Sequence, residues 1–156
     1  MARVTLEMPD RYPFSTELEV RIEHINRGDH LGNERLIAFL NEARMRYLPA
    51  DLTRSAGDNI GLINGDLAVI YRGEAHYGDV LLIRVAASNF HHYGFDLYFD
   101  VSARADGRDI AQAKMSMLLF DFTERQLLPM SDAMAQAVRS APDNAALTNI
   151  GRHQGK

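Results

Sequence analysis

Glu23-His24-Ile25-Asn26-Arg27-Gly28-Asp29-His30-Leu31-Gly32-Asn33-Glu34-Arg35-Leu36-Ile37-Ala38-Phe39-Leu40-Asn41-Glu42-Ala43-Arg44-Met45-Arg46-Tyr47-Leu48 is a polar turn that becomes an apolar helix and stops at Pro49. Leu36, Leu40, Ala43 and Tyr47 recur at i, i+4, i+7 and i+11, which is one helical face. Ile37, Phe39 and Leu48 widen the stripe until little of the circumference is purely polar. A helix of that kind is wrapped by other structure. Asn33 is the expected N-cap, and Glu34 sits where the positive end of the dipole favours it. Pro49 cannot donate to a continuing helix and biases Leu48 out of the α region. The turn therefore delivers polar side chains and free backbone N–H groups to the start of a buried helix. That is a ready site for an anionic or polarised oxygen.

Working outward, the flanks alternate like strands. Residues 1–15 read as a leader or loop, with Pro9 and Pro13 as breakers. Residues 17–23 place Leu18, Val20 and Ile22 on one face and charges on the other. Downstream, residues 50–65 carry Gly57, Gly61 and Gly65 and read as a loop, with a short helical turn over 50–55. Four strands are expected at 66–76, 80–89, 94–104 and 109–122. Tyr77-Gly78-Asp79 is a turn, and Asp106-Gly107 predicts a type I′ hairpin. Ser131 caps a helix over Asp132–Arg139, and the tail 141–156 is expected to be mobile. The order is strand, long buried helix, a meander of four strands, short helix. That predicts one α+β domain over 1–140, a curved antiparallel sheet wrapped around one long central helix. A sheet edge must be managed, and pairing across a dimer axis is one way to do so.

Composition narrows the function classes. At 156 residues the chain can hide about 70% of its unfolded surface in one core. Its 17 basic and 21 acidic residues form no basic run, so nucleic acid is not an expected partner. With no cysteine, thiolate catalysis and Cys-based metal sites are excluded, and a cytoplasmic setting is expected. No apolar run approaches a membrane span, and the N-terminus is too polar for a signal peptide.

Three stretches carry a resemblance to the hotdog-fold acyl-CoA thioesterases, specifically the 4-hydroxybenzoyl-CoA thioesterase family. That family has an Asp-x-Asp-x-x-Gly-His-Val-Asn-Asn-like turn and a helix ending in a Glu-Glu-Ala-Arg-like segment. Here His24-Ile25-Asn26-Arg27-Gly28-Asp29-His30-Leu31-Gly32-Asn33 and Asn41-Glu42-Ala43-Arg44 stand in those places. Tyr77-Gly78-Asp79 matches a family turn, and Leu119-Phe120-Asp121 with Pro129 matches the end of its last long strand. The resemblance implies hydrolysis of an acyl-CoA thioester by a homodimer or homotetramer, with coenzyme A as part of the substrate and no other cofactor. The departures are specific. His24 and Asn26 replace the two acids of the turn, and Asn26 stands where many members keep the nucleophile or base. An amide can do neither job. Asp29 stands where the family often has Gly, while His30 and Asn33 are retained.

Thioester hydrolysis needs a base or nucleophile, a donor for the carbonyl oxygen, and a groove. The resemblance puts the donor at a backbone N–H near Asn33. The base is open among Asp29, His30 and Glu34, with Asn26 able to hold water or substrate. Each of these is also an ordinary turn or cap residue. His91 and His92, with Tyr93, are candidates for the coenzyme A entrance, and Arg72, Arg44 and Arg46 for its phosphates. The plainer reading of these is solvated charge and turn. Adjacent His91 and His92 would point to opposite strand faces, and His24 and His30 lie six apart, so no metal site is expected. Two rivals remain: a hydratase or dehydratase on acyl thioesters, and a thioester-binding module without turnover.

Overall fold

The alternating segments close into one antiparallel sheet. The computed structural model describes residues 1–52 and 59–140. Strands β1 (Phe14–Glu19), β2 (Ile60–Tyr71), β3 (Val80–His91), β4 (Gly94–Ala103), β5 (Asp109–Asp121) and β6 (Gln126–Leu127) surround helix α1 (Asn33–Tyr47), and α2 (Asp132–Arg139) follows. The sheet order is β1-β3-β4-β5-β2, with β6 on β5. Helix α1 presses Leu36, Phe39, Leu40, Ala43 and Tyr47 into the sheet. They meet a core that includes Phe95, Phe99, Met115 and Met117, each at most 1% exposed. Burying each such side chain contributes roughly 1.5–3 kcal/mol. Among the described residues no helix is long and apolar enough to cross a membrane.

Several sequence expectations change. The later strands are not a simple meander. Strands β3, β4 and β5 follow one another, but β2 pairs with β5 at the far edge. A local β2–β3 hairpin is impossible because β1 and β4 already occupy both sides of β3. Residues 72–79 instead cross the end of the sheet. Arg72 and Gly73 amides donate to the Ile110 carbonyl, and the Arg108 guanidinium reaches the Glu74 carbonyl at 3.3 Å and Asp79 at 2.8 Å. The Tyr77-Gly78-Asp79 turn, with Gly78 at φ 84°, locks onto Val20 through two backbone hydrogen bonds.

Strand β1 starts and ends earlier than expected. The Arg21 amide donates to His24 Nδ1 at 2.9 Å, and Ile22–His24 coil into a 3-10 turn. A side chain has competed successfully with the ladder. Residues 60–65 are strand, not loop. Gly65 is the extra residue of a bulge between Asn64 and Asp66. The β4–β5 connection is longer than a type I′ turn. It closes from the Ala103 amide to the Arg108 carbonyl, and Gly107 has positive φ while Asp106 does not. Helix α2 begins and ends as expected, with Ser131 accepting the Met134 amide. The expected tail, and the expected helical turn beyond Leu52, lie outside the described residues.

Gly94 is buried at the start of β4, where a Cβ would collide with the Met117 carbonyl oxygen of β5. Gly94→Ala is expected to cost about 3 kcal/mol in urea unfolding. Gly78→Ala, at an open turn with positive φ, should cost only about 1 kcal/mol. Equal midpoints for the two variants would refute the close approach at Gly94.

Candidate active site

The turn before α1 closes on itself. The Asn26 amide donates to the His30 carbonyl at 2.9 Å, and the Asp29 amide donates back to Asn26 at 3.1 Å. Asn26 Oδ1 accepts the Gly28 amide at 2.9 Å, an Asx turn. Asp29 takes φ 63°, a left-handed position that Asp tolerates better than most residues. This explains how Asp can stand where Gly is usual.

Backbone donors are then used in a fixed sequence. The Leu31 amide donates to Ala75 at 2.8 Å, and the Gly32 amide to His24 at 3.0 Å. Arg35 and Leu36 both donate to the Gly32 carbonyl, so Gly32, not Asn33, is the N-cap. The backbone is already helical at Asn33, and no side chain caps the helix. Between these pairs, the amides of Asn33 and Glu34 find no acceptor among the described residues. They carry the positive end of a 15-residue helix.

Beside them lies a cleft of about 130 Å³, lined by His30, Gly32, Asn33, Tyr71, Glu74 and Ala75 among others. Tyr71 donates its hydroxyl to the Asn33 carbonyl at 3.1 Å. Burial, and then the charge of Glu34, raise the Tyr71 pKa, so the phenol stays a donor. The Glu34 carboxylate folds back over Gly32, where any Cβ would stand 2.7 Å from its Oε1. His30 Nδ1 lies 3.0 Å from the Leu31 carbonyl. A carbonyl only accepts, so Nδ1 carries the proton and Nε2 keeps its lone pair in the neutral ring. On the opposite side of α1 a wider groove of about 330 Å³ holds His24, edge-on to Phe39 at 4.8 Å.

His30 and Asn33 thus line one cleft, and Glu34 does not line it but folds its carboxylate over Gly32, which does. Asn26 belongs to the turn, with its oxygen engaged, and Asp29 is exposed and does not line the cleft. Arg72 is next to the cleft in sequence, but its guanidinium faces Asp109 at 3.7 Å. His91 and His92 lie elsewhere in the protomer. Strand β3 starts next to the crossing segment and reaches His91 after 12 residues, roughly 35 Å along the strand. His91 Nδ1 accepts the Tyr93 amide, and the His92 ring sits edge-on to Tyr93. Among the described residues no group of His, Asp and Glu is placed to hold a metal. The sequence marks Tyr71 only as one residue of the expected strand 66–76, with no sign of its contact with Asn33. Its role depends on β2 lying at the sheet edge beside α1.

The sequence profile of the Thioesterase-like superfamily matches residues 20–138. Among curated proteins, none matches this chain. Solved structures do. YbaW of Escherichia coli, a probable thioesterase, is 22% identical over 80% of this chain and 95% of its own, with a TM-score of 0.69. Slr0204 of Synechocystis, a 1,4-dihydroxy-2-naphthoyl-CoA thioesterase, is 17% identical over 81% of this chain and 96% of its own, with a TM-score of 0.72. The PA5185 protein of Pseudomonas aeruginosa is 10% identical over 85% and 94%, with a TM-score of 0.74. At such identities these likenesses speak to the fold alone, which is the hotdog fold. The sequence match, spanning β2 to β6 and both helices, assigns the chain to the thioesterase-like superfamily.

Proposed function

We propose that this protein hydrolyses acyl-CoA thioesters to coenzyme A and a carboxylic acid, in the manner of the 4-hydroxybenzoyl-CoA thioesterases it resembles. One observation carries the reading: the Asn33 and Glu34 amides at the start of α1, unpaired among the described residues, stand beside a cleft lined by Asn33, His30 and Tyr71. In the mechanism, the thioester oxygen accepts those two N–H groups, which stabilise the charge as water adds to the carbonyl carbon. A single donor of this kind is worth about 10²–10³ in kcat. His30 Nε2 or the Glu34 carboxylate takes the proton from water. The C–S bond then breaks and the thiolate leaves with that proton. Asp29, on the outer side of the turn, is the weaker base candidate. Tyr71 acts through the peptide it touches. The Asn33 carbonyl and the Glu34 N–H belong to one peptide plane, so a hydrogen bond to the oxygen orients and polarises the N–H.

The cleft of about 130 Å³ is smaller than the ~300–1,000 Å³ usual for a small-molecule site. A second copy is the proposed missing wall. Strand β2 has a free edge, and Ile60 and Leu67 on it and Met45 on α1 are 46%, 39% and 49% exposed. A cytoplasmic homodimer paired along β2 would cover them. Asn26 supports a second reading, a thioester-binding module without turnover, because its amide cannot act as a base.

Free-thiol release from short, long and aromatic acyl-CoAs separates the two. Tyr71→Phe is expected to lower kcat about tenfold with KM little changed, since the donor it aims acts in the transition state. His30→Ala and Glu34→Gln should differ sharply, the base being the one whose loss abolishes turnover. Asn26→Asp keeps an oxygen for the Gly28 amide and should fold normally, whereas Asn26→Ala should lose about 1 kcal/mol. Coenzyme A binding with no release from any acyl-CoA, and release gained in Asn26→Asp, would replace the hydrolase reading with the binding module.

A further inference from the structure

We infer that the cleft beside α1 is an acyl subsite closed at its inner end by Leu36 and Ile110, and that it selects short aliphatic thioesters over long or aromatic ones. The inference rests on the hydrolase reading above and names its substrate class. The lining of the cleft is divided. Leu31, Leu36, Ala75 and Ile110 line it, belong to the core and are each at most 6% exposed. Asn33, Tyr71 and Glu74 line it too, and they are exposed. The cleft therefore has an apolar inner end and a polar mouth. Backbone bonds fix the inner end. The Leu31 amide donates to Ala75 at 2.8 Å, and the Arg72 and Gly73 amides donate to the Ile110 carbonyl at 2.9 and 3.2 Å. The crossing segment is thus tied to the turn on one side and to β5 on the other.

A thioester has two arms, and this shape sorts them. Coenzyme A is several times larger than the cleft, so that arm leaves through the mouth. The acyl arm then points inward. From Asn33 to Leu36 the helix rises ~4.5 Å, about the span of a four-carbon chain. Volume sets a similar limit. The cleft measures about 130 Å³, and an apolar cavity of about 150 Å³ takes up a single benzene ring. The thioester carbonyl must share that space, so a benzoyl group or an octanoyl chain does not fit. Each methylene that does fit gains about fourfold in affinity by burial. The first that does not fit meets Leu36. A second copy can lengthen the mouth, but the inner end is closed within the protomer.

The test measures thiol release from straight-chain acyl-CoAs, acetyl to decanoyl, and from benzoyl-CoA. The wild type should peak in kcat/KM among the shortest chains, at about four carbons or fewer. It should fall by at least about tenfold at octanoyl and at benzoyl. Leu36→Ala opens the inner end and should raise the octanoyl-to-acetyl ratio at least about tenfold. Ile110→Val removes one methyl and should move the ratio the same way by about threefold; it carries the test if Leu36→Ala fails to fold. A wild type that prefers octanoyl, decanoyl or benzoyl overturns the proposal. So does a chain-length profile that neither variant changes. No thiol release from any acyl-CoA would sink the hydrolase reading alone. Calorimetry with 2-oxoalkyl-CoA thioethers of matched lengths, which keep a carbonyl and cannot be hydrolysed, then decides. Tighter binding of the short thioethers, with the order shifted in Leu36→Ala or Ile110→Val, supports the subsite. Affinity that is independent of length, or greater for long chains, removes it.

Discussion

The amide of Leu31 donates to the carbonyl of Ala75 at 2.8 Å, and the position of the whole site depends on that bond. It joins the turn before α1 to the segment that crosses the end of the sheet. That segment is itself held by Arg108, which spans the Glu74 carbonyl and the Asp79 carboxylate. Asp79 also accepts the His76 amide at 2.8 Å, and its backbone is hydrogen-bonded to Val20. The start of α1 is thus fixed from two directions, by the 3-10 turn after β1 through Gly32 and His24 and by the crossing segment through Leu31. Both contacts use backbone donors that precede the helix. The next two amides are left for a ligand by simple accounting of donors. A site assembled this way is rigid without any dedicated side chain.

Much of this was legible in the residues. Strands β3, β4 and β5 show because their alternation is long and bounded by turn residues. Helix α2 shows because Ser131 and an apolar stripe give its start and course. The cap of α1 was misread for a physical reason. Asn33 has the right side chain for an N-cap, yet Gly32 already has its carbonyl inside the helical ladder and its amide committed to His24. The neighbours of β2 were not legible at all. Periodicity says which residues alternate, and it carries no information on which strand they lie beside.

Asn26 shows a different limit. Its oxygen accepts the Gly28 amide, a bond that an Asp could make as well. From sequence, an amide that shapes the turn cannot be told from a base that has been lost. The geometry narrows the question by engaging that oxygen, and moves attention to His30 and Glu34, whose acceptor atoms carry no hydrogen bond among the described residues.

One residue links the two contacts between β2 and α1. Asn64 and Tyr71 are seven apart, an odd separation, so a regular strand would put them on opposite faces of the sheet. Both nevertheless bond to α1, because the bulge at Gly65 resets the alternation between them. Asn64 pairs with Met117, and Leu67 with Met115, both buried core positions, while Asp66 between them turns outward. There Asp66 takes the Lys114 ammonium at 2.9 Å, a hydrogen bond that holds its carboxyl below the usual range. Gly65 has little room for a side chain, since a Cβ would stand 2.8 Å from Leu118 Cδ1. The extra residue in a stretch that reads as loop is therefore what lets an edge strand hold Tyr71 against the start of α1 and Asn64 against Arg44. Had β2 been regular, it could have made one of these two contacts with α1 but not both.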